Sequence, residues 1–105
     1  MEPSDICVVY CTAPQDQSAK IARELLERRL VACVNITPVR SLYRWEGHIC
    51  DDAEDLLIIK TRPTQLDDLI ALIKAIHPYD LPEVIALPVI HGSPEYLDWV
   101  MNETV

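Results

Sequence analysis

Cysteine and histidine are the residues of this chain that could hold a soft or borderline cation such as copper or zinc. Cys11 ends an apolar run, and His77 opens the segment HPYDLPEV, residues 77–84, here called the joint. We expect Cys11 to be accessible because it ends a strand, whereas Cys7 and Cys33 fit the packing role common for cysteine. Two ligands make only a partial site, and so long a sequence separation is not a motif by itself.

Other interpretations of these residues stay open. His77 could be a packing or capping histidine, since a positive imidazolium is favoured at a helix C-terminus. The segment HICDD, residues 48–52, is more typical of a solvated turn than of a metal clamp, and His91 also fits a turn. A thiol catalyst made of Cys11 and His77 lacks an evident orienting group. Phosphate-loop, dinucleotide and nucleophile-elbow motifs are absent, and we predict that the protein is not an enzyme.

Length and charge limit the possible partners. The 105 residues fit a single domain, residues 1–105, and the formal net charge is −8. Such a chain repels phosphate backbones and anionic lipid surfaces, so we expect neither nucleic acid nor membrane as a partner. The sequence has no signal peptide pattern and no apolar run long enough to span a bilayer. Its four cysteines form no Cys-x-x-Cys pair, which favours a cytoplasmic location with reduced thiols.

The elements that must position these residues follow from hydrophobic spacing. Strands are predicted at residues 5–12, 30–45, 54–61 and 83–90, and helices at residues 18–29, 62–77 and 92–103. The second and third strands form a hairpin in which Tyr43 and Trp45 share one face.

Local signals predict where these elements begin and end. Asp16 is the expected N-cap of the first helix, and Ser93 that of the last helix. Thr64 and Asp67 resemble a capping box at the start of the second helix. Pro88 would break a strand ladder, which predicts that the last strand lies at a sheet edge or ends there.

The order strand, helix, strand, strand, helix, strand and short helix predicts an α+β fold. It is the ferredoxin-like split βαβ arrangement (βαββαβ) with a short C-terminal helix. One antiparallel sheet would carry both main helices on one face. The strands are apolar on both faces, and the terminal helix is too short to cover the second one. Oligomerisation through the sheet is the simplest way to cover it.

Several segments together resemble the CutA family of divalent-cation tolerance proteins, over nearly the whole chain. They are CTAP at 11–14, LVACVNITPVRSLYRWEG at 30–47, LLIIKT at 56–61, HPYDLPEVIALPV at 77–89 and YLDWV at 96–100. The resemblance implies a ferredoxin-like subunit assembled into a homotrimer whose sheets pack around a three-fold axis. It also implies binding of Cu(II), with other divalent cations as alternatives, and a role in metal tolerance. The trimer is similar in architecture to signalling proteins of the PII type, which is an analogy of fold only.

The resemblance also implies a set of site residues. Cys11 and His77 match the copper ligands of the family. In the enteric bacterial member a second histidine precedes the one that matches His77. Ile76 stands at that position here, so we expect a weaker metal site or a ligand from elsewhere.

The joint is expected to line a cleft between subunits. The residues predicted to line this cleft with His77 are Tyr43, Trp45, Lys60, Tyr79 and Glu83. The leading hypothesis is therefore a cytosolic trimer that binds Cu(II) and contributes to metal homeostasis. The alternative is a trimeric signalling or interaction module whose cleft binds a small molecule or a protein, with metal binding incidental. Ile76 at an expected ligand position slightly favours this alternative.

Overall fold

A computed structural model describes residues 5–105 of the protein. The elements are β1 (Cys7–Ala13), α1 (Ser18–Glu27), β2 (Cys33–Trp45), β3 (His48–Thr61), α2 (Leu66–Ile76), β4 (Ile85–Pro88) and α3 (Pro94–Glu103). A 3₁₀ turn, Pro63–Gln65, leads directly into α2. The α+β class and the order of the elements agree with the prediction from the sequence.

The four strands form one antiparallel sheet in the order β2-β3-β1-β4. The register of β1 on β3 runs from the Cys7–Thr61 pair to the Ala13–Asp55 pair. Strands β2 and β4 are the edges of the sheet. Pro88 ends the short edge strand β4, as predicted, because its ring nitrogen has no proton to donate to a ladder.

The main core lies between one face of the sheet and helices α1 and α2. Alternate side chains of β1 and β3 point to this face because successive residues of a strand face opposite sides. Its fully buried members include Val9, Leu25, Leu57, Ile59, Leu69 and Ile73. Helix α3 packs a smaller cluster, Leu97 and Val100, against Ile6. Ile6 precedes Cys7 by one residue, so α3 covers part of the opposite face.

The hairpin of β2 and β3 extends beyond the rest of the sheet. Past the Ala13–Asp55 pair, residues 39–45 of β2 pair with residues 48–54 of β3 as a two-stranded ribbon. We call this ribbon, with its turn, the arm (residues 39–54), and the remaining sheet with α1 and α2 the base. The protein measures 45 × 25 × 22 Å, so it is distinctly elongated.

A tight turn closes the tip of the arm. Glu46 and Gly47 connect the paired residues Trp45 and His48, and both have positive φ, 50° and 80°. Positive φ at both central residues is the signature of a type I′ turn, whose twist matches that of the flanking strands. The turn therefore lets the arm continue the twist of the sheet to its end.

Helix α1 starts at Ser18, as predicted, but its predicted N-cap and its predicted C-terminal end are wrong. Gln17, not Asp16, occupies the N-cap of α1, and it makes no side-chain capping bond. The hydroxyl of Ser18 instead donates to Asp55 Oδ2 of β3 at 2.5 Å. The helix ends before Arg29, whose positive φ of 57° takes the chain out of the helical conformation. A contact with the sheet therefore fixes the start of this helix, in place of a local cap.

Two further local predictions also need correction. Thr64 lies inside the 3₁₀ turn, and the N-cap of α2 is Gln65 without a side-chain bond, so Thr64 and Asp67 form no capping box. The last strand is shorter than predicted and spans Ile85–Pro88. Ser93 occupies the N-cap of α3 as expected, although its hydroxyl donates to the Glu95 carboxylate rather than accepting from the backbone.

Candidate functional site

Cys11 lies inside the core rather than at an open strand end. Its Cα pairs with that of Leu57, and its side chain is 0% exposed. The expectation of an accessible thiol is wrong because β1 continues to Ala13 and Cys11 is on the face covered by the helices. Burial raises the pKa of the Cys11 thiol to about 12, and the negative charges of Glu83 and Glu54 add to the shift. At neutral pH the sulfur therefore carries its proton.

His77 sits where α2 ends and the joint begins. Its backbone N–H donates to Ile73 O at 2.8 Å, which completes the last turn of α2. Its ring Nε2 lies 2.8 Å from the carbonyl oxygen of Thr12 in β1, and the backbone N–H of Tyr79 donates to Nδ1 at 3.1 Å. A carbonyl oxygen can only accept and an amide N–H can only donate. The ring is therefore the neutral tautomer with its proton on Nε2, and both nitrogens are occupied.

Tyr79 connects His77 to the root of the arm. Its ring centroid lies 4.8 Å from that of His77, and its hydroxyl donates to Glu54 Oε2 at 2.8 Å. Glu54 is only 5% exposed and pairs with Val39, where the arm starts. Burial and the hydrogen bond to Glu54 together raise the pKa of Tyr79 to about 12. The phenol is therefore a persistent donor to the buried carboxylate.

A second tyrosine–carboxylate pair lies next to this one in the arm. Tyr43 donates its hydroxyl to Asp52 Oδ2, and this bond raises the pKa of Tyr43. Asp52 and Glu54 stand two residues apart on β3, so their side chains point to the same face. The charge of Asp52 also contributes to the raised pKa of Tyr79. The two pairs thus form one polar surface at the root of the arm.

Within one chain, the structure brings together only some of the predicted cleft residues. Glu83 is near enough to Cys11 to raise its pKa, Tyr79 contacts His77, and Tyr43 lies on the adjoining part of the arm. Trp45 is at the tip, paired with His48.

Lys60 lies apart from the other predicted cleft residues. It is at the opposite end of β3, paired with Val8 and Cys33, and it donates to the Asn35 side chain. A cleft that includes Lys60 would therefore need residues from a second chain.

Two site residues, Glu54 and Thr12, were missed from the sequence. Thr12 contributes a backbone carbonyl, for which the sequence holds no signal. Glu54 begins the run EDLLIIKT, and a carboxylate at the start of an apolar strand could have marked it as a partner for a buried donor.

The residues as folded do not fit a copper site. To bind copper, a cysteine must be deprotonated and a histidine must have a ring nitrogen with a free lone pair. Cys11 is a buried, protonated thiol, and both nitrogens of His77 are hydrogen-bonded. Across residues 5–105, no group of three or more histidine, cysteine, aspartate or glutamate side chains is placed to hold a metal ion. The metal site at Cys11 and His77 stays a prediction.

The geometry defines a small α+β protein whose polar site lies where an exposed arm meets the base. The model of the CutA1 divalent ion tolerance protein family matches residues 7–103. The chain belongs to this family, which confirms the resemblance seen in the sequence. Between residues 5 and 105 we find no helix that is long and apolar enough to cross a membrane.

Individual relatives agree with this assignment. The divalent-cation tolerance protein CutA of Thermus thermophilus is 46% identical over 99 residues, which are 92% of this chain and 96% of that protein. The chloroplastic protein CutA of Arabidopsis thaliana is 48% identical over 92% of this chain. The chain spans about half the length of the plant relatives, covering 54% of the Arabidopsis protein and 56% of the rice protein.

Solved structures share the fold closely. The Thermus thermophilus divalent cation tolerance protein superimposes with a TM-score of 0.92 at 44% identity, covering 95% of this chain and 99% of that one. A PII-like protein CutA from Nostoc gives a TM-score of 0.90 at 37% identity, covering 94% of this chain and 97% of that one. These similarities extend from the base into the arm.

Proposed function

We propose that the protein is a cytoplasmic homotrimer that contributes to tolerance of divalent cations. Family membership supports the part concerning cations, because the family model and the Thermus thermophilus relative carry that name, and this relative matches over nearly its full length. We also propose that the subunit has the ferredoxin-like split βαβ topology, which the sheet order β2-β3-β1-β4 supports. No reaction is proposed for the protein.

The exposed arm is the observation that carries the proposed assembly. A two-stranded ribbon is marginally stable by itself in water. This one exposes large apolar and aromatic side chains, namely Leu42, Tyr43, Trp45 and Ile49. A neighbouring copy of the chain that packs against the arm would bury these side chains. No strand within residues 5–105 pairs with the outer side of β2 or β4. Two unlike sheet edges that meet head to tail can close into a ring of three chains.

Cu(II) is the cation proposed for the protein, and Cys11 and His77 are the side chains proposed to hold it. Both residues would have to leave their present surroundings to do so. With Ile76 at the position of a further ligand, we expect weak binding, and other divalent cations are alternatives.

A second candidate function is a signalling or interaction module with a ligand-binding cleft between subunits. The His77 ring favours this function, because both of its nitrogens already have hydrogen-bond partners within the chain. The cleft would be lined by Tyr43, Trp45, Lys60, Tyr79 and Glu83. Similarity to the PII-like Nostoc protein supports the idea at the level of architecture. A thermal-shift screen with small anionic and aromatic compounds, repeated on Lys60→Ala, tests it.

Light scattering of the purified protein tests the trimer. We expect the wild type to have the mass of three chains, and Leu42→Asp in the arm to dissociate it. Leu26→Asp on the outer surface of α1 is the matched control, since it makes the same change at a partly exposed leucine of the base. A monomeric wild type, or equal dissociation by both changes, would contradict the proposed assembly.

A copper titration tests the proposed metal site. The wild type is titrated with Cu(II) beside Cys11→Ser and His77→Ala, and the oligomer size is checked for each variant. Loss of binding in both variants, with assembly intact, supports these two residues as ligands. If both variants bind Cu(II) as tightly as the wild type, Cys11 and His77 are not ligands, and the second candidate function is favoured.

A further inference from the structure

The hydrogen bonds around His77 form a continuous connection from β1 to the arm. Thr12 O accepts from His77 Nε2 at 2.8 Å, His77 Nδ1 accepts from the Tyr79 amide at 3.1 Å, and the Tyr79 hydroxyl donates to Glu54 at 2.8 Å. His77 and Glu54 are 8% and 5% exposed, so water competes poorly for these bonds. We call this set the clamp: Thr12 O, the His77 ring, Tyr79 and Glu54.

The clamp uses both positions at which an imidazole can bind a metal. Nδ1 has its lone pair directed at the Tyr79 amide, and Nε2 carries the proton that is directed at Thr12 O. A metal at Nδ1 would displace the Tyr79 amide. A metal at Nε2 would require the ring proton to move to Nδ1, which leaves Thr12 O without a donor and turns an N–H toward the Tyr79 amide N–H. Either position therefore breaks the hydrogen bond from the Tyr79 amide to Nδ1, and a metal at Nε2 also breaks the bond to Thr12 O.

We infer that the clamp and cation binding at His77 exclude each other, so that the clamp limits the affinity of this site for divalent cations. This inference rests on the copper site of the proposed function and concerns its regulation. Only the fraction of molecules in which the clamp is open can bind the cation, so the apparent affinity is lower than that of the open state by this fraction. By reciprocity, a cation that binds His77 loosens Tyr79 from Glu54 at the root of the arm.

A pair of tyrosine variants tests the inference. Tyr79→Phe removes the hydroxyl that bonds Glu54 and keeps the ring and the backbone amide. Tyr43→Phe is the matched control, because it removes the same kind of bond, to Asp52, without a contact to His77. All proteins carry Cys33→Ser and Cys50→Ser, since these half-buried thiols would otherwise compete for copper.

Isothermal titration with Cu(II) gives the first result. We expect Tyr79→Phe to bind Cu(II) about three- to tenfold more tightly than its parent, the range that corresponds to one such hydrogen bond. Tyr43→Phe should leave the affinity unchanged, and His77→Ala should abolish the gain. No gain in Tyr79→Phe, or an equal gain in both tyrosine variants, overturns the inference.

Hydrogen exchange of the parent protein gives an independent result that needs no variant at position 79. Saturating Cu(II) should accelerate exchange of the segment that holds the Tyr79 amide. Unchanged protection at saturation overturns the inference. The trimer measurement is separate: a monomeric protein that still shows the Tyr79→Phe gain would contradict the proposed assembly and leave the clamp supported.

Discussion

The base and the arm both carry large apolar strand residues, but these residues have opposite surroundings. In the base, Leu57 and Ile59 of β3 are fully buried under α1 and α2. In the arm, Ile49 of the same strand is 72% exposed and Leu42 of β2 is 62% exposed. An apolar residue in a strand therefore indicates that its side chain is to be buried. It does not indicate whether the same chain or a neighbouring chain buries it.

The base and the arm should differ most in how much stability is lost when a large apolar side chain is shortened. Ile59→Ala should lower the free energy of unfolding by about 2–5 kcal/mol, because it leaves a cavity in the core. That loss should be the same at every protein concentration. Ile49→Ala should act only through contacts between chains, so its effect should vanish on dilution. Denaturation curves at several concentrations check both, and an equally large loss for Ile49→Ala at the highest dilution would refute the contrast.

High pH should weaken the base through Cys11. The pKa of this thiol is raised from 9.0 to about 12 in the folded protein, so unfolding releases a proton between those values. The stabilisation is complete below pH 9 and falls as pH rises, by about 1.4 kcal/mol per pH unit. Urea unfolding from pH 8 to 10 should show this slope, and Cys11→Val should reduce it.

Cys33→Val is the control for that experiment, since Cys33 is a half-buried thiol outside the main core. It should leave the pH slope nearly as in the wild type. A slope unaffected by Cys11→Val would show that other groups cause the loss of stability at high pH.

The tip of the arm should respond to turn chemistry by a smaller amount. Glu46 has a positive φ of 50°, which asparagine tolerates better, and Gly47 has φ 80°. We expect Glu46→Asn to stabilise the protein and Gly47→Ala to destabilise it, each by roughly 1 kcal/mol. Thermal unfolding measures both. Effects of the same sign would argue against a type I′ turn.

The smallest effect is expected for the ion pair of the arm. Arg40 contacts Asp51 through two bonds, of 2.9 and 2.6 Å, but both side chains are largely exposed. Exposed pairs contribute little because water and salt screen them. Asp51→Asn should therefore leave the unfolding temperature unchanged within error in 0.15 M salt. A clear loss there would mean that the pair is shielded, as it would be in an assembled arm.

The sequence predicted the elements better than their contacts. Period-two and helical spacing indicated the order of strands and helices, and alternation placed Tyr43 and Trp45 on one face. The N-cap of α1 was predicted wrongly because Ser18 bonds Asp55, 37 residues away, and such a contact outweighs the local signal of Asp16. Local patterns do not reveal bonds that depend on the register of distant strands.

The candidate site shows the same limit. His77 and Tyr79 were identified from their types and their place in a rigid joint. Their partners could not be, because Thr12 offers a backbone carbonyl and Glu54 is brought close only by the pairing of β1 with β3. Cys11 is buried because β1 continues to Ala13, one residue beyond the predicted end of the strand.

The root of the arm is held on both faces of β3. Ser18 bonds Asp55 from the helix side, and Tyr79 bonds Glu54 from the other side. The arm is thus fixed at one end and free at the other, so its direction is set before any second chain arrives. A docking element that is already oriented loses less freedom on binding, which favours association. Added or removed residues at the tip would change how far the arm reaches without altering where it points.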